Sequence, residues 1–232
     1  MKEKTSELIS RLHVIIDDVR DEADKDDFTD NMDAELREAL LTAATEVVLA
    51  SPAGGLEPVS VKSSLLAAQD YDAIQKQYTD GHGELVVPPD FLRLSELKLN
   101  SWSQTVRSLI DPESDEAKMQ ASRWTRGTPQ KPKAMLTTDA SGNRVVRYWT
   151  AGRYQRPQGE PMSNVYDHSV EVFTYIPKPR YETETSTEYL IAPLTEGMER
   201  TLLYQAAGVF MEAKKEATLA DRFYKVSGSP NP

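Results

Sequence analysis

Hydrophobic residues near the start of the chain recur at helical spacing. Leu8, Leu12, Ile15 and Ile16 share one face of a 3.6-residue repeat, which predicts an amphipathic helix over 5–20. The acidic run from Asp21 to Asp30 ends it. Leu36, Leu40, Ala43, Ala44, Val47 and Val48 make a second stripe up to Ala50. Asp33 is placed to cap that helix, and Ser51-Pro52-Ala53-Gly54-Gly55 stops it. The middle of the chain reads differently. Apolar pieces at 59–66, 85–87 and 92–99 are separated by Gly and Pro, and strands are expected at 85–87 and 94–109 around a turn at Asn100.

The clearest β signal is a hairpin with arms at 133–138 and 144–150, joined by Asp139-Ala140-Ser141-Gly142-Asn143. Residues 170–176 predict a further strand closed by Pro177 and Pro179, and 152–162, with two Gly and two Pro, reads as a loop. Helical spacing returns at the C-terminal end. Pro193 suits a first turn, and Leu194, Met198, Leu202, Gln205, Val209 and Phe210 follow toward Ala213. A short helix over 218–226 holds Phe223 and Tyr224. The order predicts an α+β chain: N-terminal helices (1–55), a mixed region with strands and a hairpin insertion (56–188), C-terminal helices (189–226) and a disordered tail (227–232). The N- and C-terminal helices would form one helical body with the antiparallel β region inserted. No 20–50-residue repeat suggests a solenoid.

Composition narrows the class. No run approaches the roughly 20 apolar residues that cross a bilayer, and MKEKTSELIS lacks the apolar core of a secretory signal, so no membrane partner and no export by that route are expected. Zero cysteines exclude disulfides, thiolate nucleophiles and Cys-ligated zinc. A net charge of −10 argues against a general nucleic-acid binder. The charge is uneven: 1–35 holds twelve acids and five bases, whereas 118–156 holds nine bases and one acid. Such asymmetry suits contacts between neighbouring copies or a partner met by the basic part, and equally suits two solvated surfaces.

Candidate chemistry is sparse. The three histidines, His13, His82 and His168, form no pair at metal-ligand spacing, and there is no His-Glu-x-x-His pattern or nucleophile elbow. His13 reads as a packed or surface helix residue, and His82, between two glycines, as a turn residue exposing its imidazole. The acids Asp21, Asp24, Asp26, Asp27, Asp30 and Asp33 suggest a calcium loop, but no glycine stands at the sixth position and Phe28 falls among the ligands, so a solvated linker is expected. No phosphate loop or dinucleotide fingerprint is present. No catalytic residue, cofactor or metal is assigned, and a non-enzymatic role is expected. Arg144, Arg147, Tyr148, Trp149, Arg153 and Tyr154 mix aromatic and basic residues as a nucleic-acid surface would. Their strand-like alternation favours a protein interface, for which Arg, Tyr and Trp are the common anchors.

Three stretches carry a family resemblance: LREALLTAATEVVLASP at 36–52, VVPPDFLRLSELKLNSW at 86–102, and YLIAPLTEGMERTLLYQAAGVFMEAKKEATLADRFYK at 189–225. The chain resembles the head-to-tail connector (adaptor, or neck ring) proteins of tailed double-stranded DNA phages. The middle stretch is similar to the Pro-Asp-Phe-Leu-Arg segment of connectors from short-tailed and crAss-like phages. The resemblance covers about a third of the chain and rests on structural pattern. It implies a virion protein made in the host cytoplasm, assembled as a homo-oligomeric ring of about twelve copies. Its partners would be the portal protein and the next tail component, with DNA passing through the channel without specific binding. Under it, Asp17, Asp18, Asp21, Asp24, Asp26, Asp27, Asp30 and Asp33 are expected to face solvent or the channel, where an acidic wall would not hold DNA. The long basic stretch from Arg123 to Arg156 departs from that family. Alternatives are another capsid-associated virion protein, a nucleic-acid-binding protein using the basic hairpin, and a metal-dependent hydrolase using the acids between Asp21 and Asp33.

Overall fold

A computed structural model of the chain describes residues 1–19, 31–60, 75–77, 82–122, 124–151, 167–195 and 197–228. In chain order its elements begin with β1 (Lys2–Lys4), α1 (Thr5–Asp17), α2 (Met32–Ala50), β2 (Val59–Ser60), β3 (Gln75–Gln77), β4 (Gly83–Val86) and β5 (Phe91–Leu99). They continue with α3 (Asp115–Met119), β6 (Ala134–Thr138), β7 (Arg144–Tyr148), β8 (Val170–Pro177), β9 (Arg180–Glu184), β10 (Thr187–Ile191), α4 (Glu199–Ala213) and α5 (Ala217–Ser227). The chain is α+β, as its pattern predicts. It divides into two compact units, one of Met1–Glu57 with Pro177–Pro232 and the other of Pro58–Ile176.

In the first unit, α4 packs against α1, α2 and α5. The predicted stripes supply most of the contacts. Leu8, Leu12 and Ile16 of α1 are buried, as are Leu36, Leu40, Ala43, Ala44, Val47 and Val48 of α2 and Leu202, Gln205 and Phe210 of α4; Ile15 and Val209 are half-buried, and Ala206 and Met211, outside the predicted stripe, are buried as well. Each fully buried large aliphatic or aromatic side chain contributes about 1.5–3 kcal/mol relative to exposure. Gly208 sits in the middle of α4 because the Tyr224 ring of α5 lies against it: a Cβ there would stand 2.5 Å from Tyr224 Cε1.

Four expectations change in this unit. Asp33 does not cap α2. Asn31 holds the N-cap position without a side-chain cap, and Asp33, inside the first turn, meets His13 Nε2 at 2.7 Å. An acid is favoured there by the helix dipole. The C-terminal helix starts at Glu199 rather than near Pro193, since Leu194 bridges to Leu56 and Gly197 is left-handed with φ 95°. At the other end α5 runs through Ser227, which is buried with its hydroxyl donating to Gln205 Oε1 at 3.1 Å, before Gly228 closes it with φ 73°. Ser227, expected in the tail, is therefore part of α5; residues 229–232 lie outside the described ones. Finally, 178–188, read as part of the mixed middle region, and 189–191, assigned to the C-terminal helices, form β9 and β10, which join β1 in an antiparallel sheet of order β1-β10-β9. That sheet is tied to α2. Arg37 donates to both carboxylate oxygens of Glu188 at 2.9 and 2.5 Å, and the Tyr181 hydroxyl donates to the Arg37 carbonyl at 2.6 Å.

The second unit holds two antiparallel sheets, of order β3-β4-β7-β6 and β2-β8-β5. Leu85, Val146 and Tyr148 from one sheet and Phe91, Leu94, Leu97, Phe173 and Tyr175 from the other fill one core. The predicted hairpin is β6–β7, in register from Ala134↔Tyr148 to Thr138↔Arg144, with Gly142 at φ 86° in its turn. Of the extended pieces expected over 94–109 around a turn at Asn100, the first is β5, which ends at Leu99, and the chain turns at Asn100. Beyond Asn100, Val106 bridges back to Leu97, and Trp102 turns inward, 3% exposed, its indole N–H donating to the Thr150 carbonyl at 2.8 Å. Satisfying that buried donor holds the chain in a turn rather than an extended strand. The loop expected at 152–162 lies outside the described residues.

Candidate protein interface

β7 and its continuation carry four of the six expected interface residues. Arg144 is exposed; its guanidinium donates to the Phe91 carbonyl at 3.0 Å and lies 5.7 Å from the centre of that ring. Arg147 is half-buried and meets Glu84 Oε1 through Nε at 2.8 Å and Nη2 at 2.6 Å, across the β4–β7 pairing that sets the two residues opposite each other. Glu84 is 5% exposed, so this is an ion pair with one partner in the interior. Trp149 is half-buried and lies flat against His82, ring centres 5.9 Å apart and planes at 7°. His82, expected to expose its imidazole from a turn, is thus half-buried under an indole.

Tyr148 is not an interface residue. It is fully buried, edge-on to Trp102 at 5.7 Å, and its phenol shares a 2.8 Å hydrogen bond with Nδ1 of the buried His168. Gly83, directly opposite in the sheet, makes this fit, since a Cβ there would stand 2.2 Å from the Tyr148 oxygen. The hairpin therefore places Tyr148 in the core and neutralises Arg147 internally, which leaves less positive charge for phosphates than composition suggests. Arg153 and Tyr154 lie outside the described residues.

Of the acids expected to face solvent or a channel, Asp17, Asp18 and Asp33 are exposed; Asp21, Asp24, Asp26, Asp27 and Asp30 lie outside the described residues. Among the described residues no group of three or more His, Cys, Asp or Glu is arranged to hold a metal ion, and no helix is long and apolar enough to cross a membrane. Burial raises the phenols of Tyr181 and Tyr224 above their ordinary value, helped at Tyr224 by its bond to Glu212 at 2.7 Å. The ammonium groups of Lys2 and Lys4 are raised by hydrogen bonds to Glu184 and Glu7.

Among the described residues the most exposed large hydrophobic side chain is not one of the expected site residues. Trp124 is 91% exposed, and Met119, five positions before it, 49%. The turn that carries Trp124 is internally braced. Gln120, 3% exposed, donates its amide to the Glu116 carbonyl at 3.0 Å and accepts from the Gly127 N–H at 2.8 Å. The Thr125 hydroxyl donates to the Met119 carbonyl at 2.7 Å, and the Arg126 N–H to the Ser122 carbonyl at 3.0 Å. Gly127 is required where it packs on neighbouring backbone, for a Cβ would come within 2.9 Å of the Lys131 carbonyl. A sequence signal existed: Ser122, Arg123, Thr125 and Arg126 offer the indole no large apolar neighbour.

Among the described residues, grooves open on the first unit. One, between α2 and α4, has a volume of about 420 Å³ and is walled by Ala34, Glu35, Glu38, Thr42, Val209 and Ala213. The other, about 590 Å³, lies between α1 and α4 and includes Arg11, Val14, Glu199 and Tyr204. Arg11 and Glu199 pair across it. A scan of the chain against protein-family models returns no match, and a search of curated proteins returns none either.

Proposed function

We propose that the chain is a non-enzymatic structural protein of a tailed phage virion, one subunit of a ring in the head-to-tail connector that joins portal to tail around the DNA channel. The observation that carries this reading is the partition of fold and charge. The helical unit, built from both ends of the chain, has 13 basic and 23 acidic residues and so holds the entire net charge of −10; the inserted β unit balances 14 against 14. A helical body of that sign suits a wall past which DNA moves, because duplex DNA carries one negative charge per ~1.7 Å of axis and is not retained by an acidic surface. The inserted unit, neutral and bearing an exposed Trp124, is suited to protein contact.

Quantitative mass spectrometry of purified particles, calibrated against the portal protein, tests this. Parity with the portal, about twelve copies per particle, is expected of a closed ring. Hundreds of copies would place the protein in the shell, and absence from particles would refute a virion role.

A further inference from the structure

We propose that Trp124 of one copy docks into the α2/α4 groove of a second copy, joining chains head to tail. This names the subunit contact of the ring proposed above and in that respect rests on that reading.

Anchor and receptor are both present on one chain. Trp124 projects from a turn that Gln120 and Thr125 already hold, so little conformational freedom is lost when the indole is buried. Tryptophan at the centre of a contact is among the side chains that dominate binding energy. The groove, at about 420 Å³, is roomy for an indole, given that a cavity of roughly 150 Å³ accepts benzene. Ala34, Ala39, Val209 and Phe210 supply apolar wall, and Glu35 and Glu38 stand at it.

Charge selects the occupant. The segment 118–133 around Trp124 contains five basic residues and no acid; Lys118 and Lys133 pair with Asp115 and Glu116, and the other three are Arg123, Arg126 and Lys131, while the groove belongs to the unit that carries −10. Lys214 also lines the groove but is paired with Glu35 at 2.5 Å, which leaves the Glu38 carboxylate to meet the incoming cations. The α1/α4 groove is the poorer receptor. Its Arg11 is paired with Glu199, and the charge that remains is Arg200, of the same sign as the turn. A contact between two different surfaces of the same chain is heterologous. It generates a ring if the rotation closes and a filament if it does not.

The test uses sedimentation velocity of the full chain from micromolar to millimolar concentration, at low and high salt, with tryptophan emission recorded in parallel. Wild-type protein should self-associate, more weakly in high salt, with a blue shift as Trp124 leaves water. Trp124→Ala and Thr42→Arg should each weaken association at least about tenfold. The second places a long cation in the groove at an exposed helical site where Arg has the better propensity, so the fold is kept. Mixing the two variants is decisive: one retains the groove and the other the indole, so they should form a 1:1 heterodimer that grows no further. A monomeric wild type at every concentration, variants that associate like wild type, or a mixture that does not pair would each overturn the contact. Particle copy number is read separately. The contact can stand while a virion role fails, and parity with the portal in particles carrying Trp124→Ala would sink the contact alone.

Discussion

Replacing Gly208 with Ala sets two effects of opposite sign against each other. Gly208 lies inside α4, where helix propensity alone favours Ala by about 1 kcal/mol. The added Cβ, however, would stand 2.5 Å from Tyr224 Cε1, 2.7 Å from Cδ1 and 3.0 Å from Cζ, against a comfortable carbon–carbon separation of about 3.5–4.0 Å. The ring must retreat by about 1 Å. It is 3% exposed, and its hydroxyl is held to Glu212 Oε2 at 2.7 Å, so retreat disturbs α5 packing and that bond together. Overpacking of this kind costs about 1–3 kcal/mol, so it outweighs propensity and the net loss is about 1 kcal/mol. In thermal unfolding followed by far-UV circular dichroism, to which the helices of the first unit contribute most, the midpoint should fall by about 4 °C. In a Tyr224→Ala background the clash is gone, and Gly208→Ala should stabilise by about 1 kcal/mol. A raised midpoint in the wild-type background, or the same sign in both backgrounds, would refute the packing of α5 on α4 through that ring.

Three further outcomes are expected. Arg147→Met should cost about 3 kcal/mol in urea denaturation, because Glu84 at 5% exposure is left with an unpaired carboxylate, whereas the double variant with Glu84→Gln should cost less; equal losses would contradict the interior ion pair. Tyr181, its phenol raised chiefly by burial, keeps its proton in the folded chain above the ordinary phenol range, so its contribution to stability is full below pH ~10 and declines as pH rises beyond. Tyr181→Phe should flatten that alkaline decline while losing about 1 kcal/mol at neutral pH with its bond to Arg37, and an unchanged slope would count against burial as the cause. Thr185 and Ser186 occupy the two-residue turn between β9 and β10 with φ of 46° and 70°, so replacing them by Asn-Gly should stabilise the first unit by about 1–2 kcal/mol, measured by chemical denaturation.

The helices were legible because their burial follows a single period. Every apolar residue assigned to the α2 stripe is buried, and the hairpin followed from a turn whose Asp139 and Gly142 have specific backbone work to do. Other elements were hidden by the kind of partner they have. β9 and β10 read as polar segments because much of their side-chain chemistry is spent on neighbours in the first unit, Glu188 on Arg37 and Tyr181 on the Arg37 backbone. Their turn gives no warning either, since Thr-Ser stands where Asn-Gly would announce a hairpin. The turn expected at Asn100 is present, but the piece beyond it pairs with β5 only through the single Leu97–Val106 bridge: the Trp102 indole must reach the Thr150 carbonyl, and a second extended arm is given up for it.

The candidate interface was misread at one residue and missed at another for a common reason. Aromatic and basic residues interleave both around Tyr148 and around Trp124, so composition treats them alike. Neighbours two residues away separate them. Tyr148 shares a strand face with Val146, itself buried, so the face that carries Tyr148 is the core face and a protein contact there would require the unit to open. Trp124 has Ser122 and Arg126 at those positions and Arg123 and Thr125 beside it, so no local apolar stripe exists into which the indole could turn. A large aromatic without such a stripe is buried by a distant part of the chain or by another chain. Among the described residues nothing buries Trp124, which stands at 91% exposure, and a contact with a second molecule is one way for the indole to leave water.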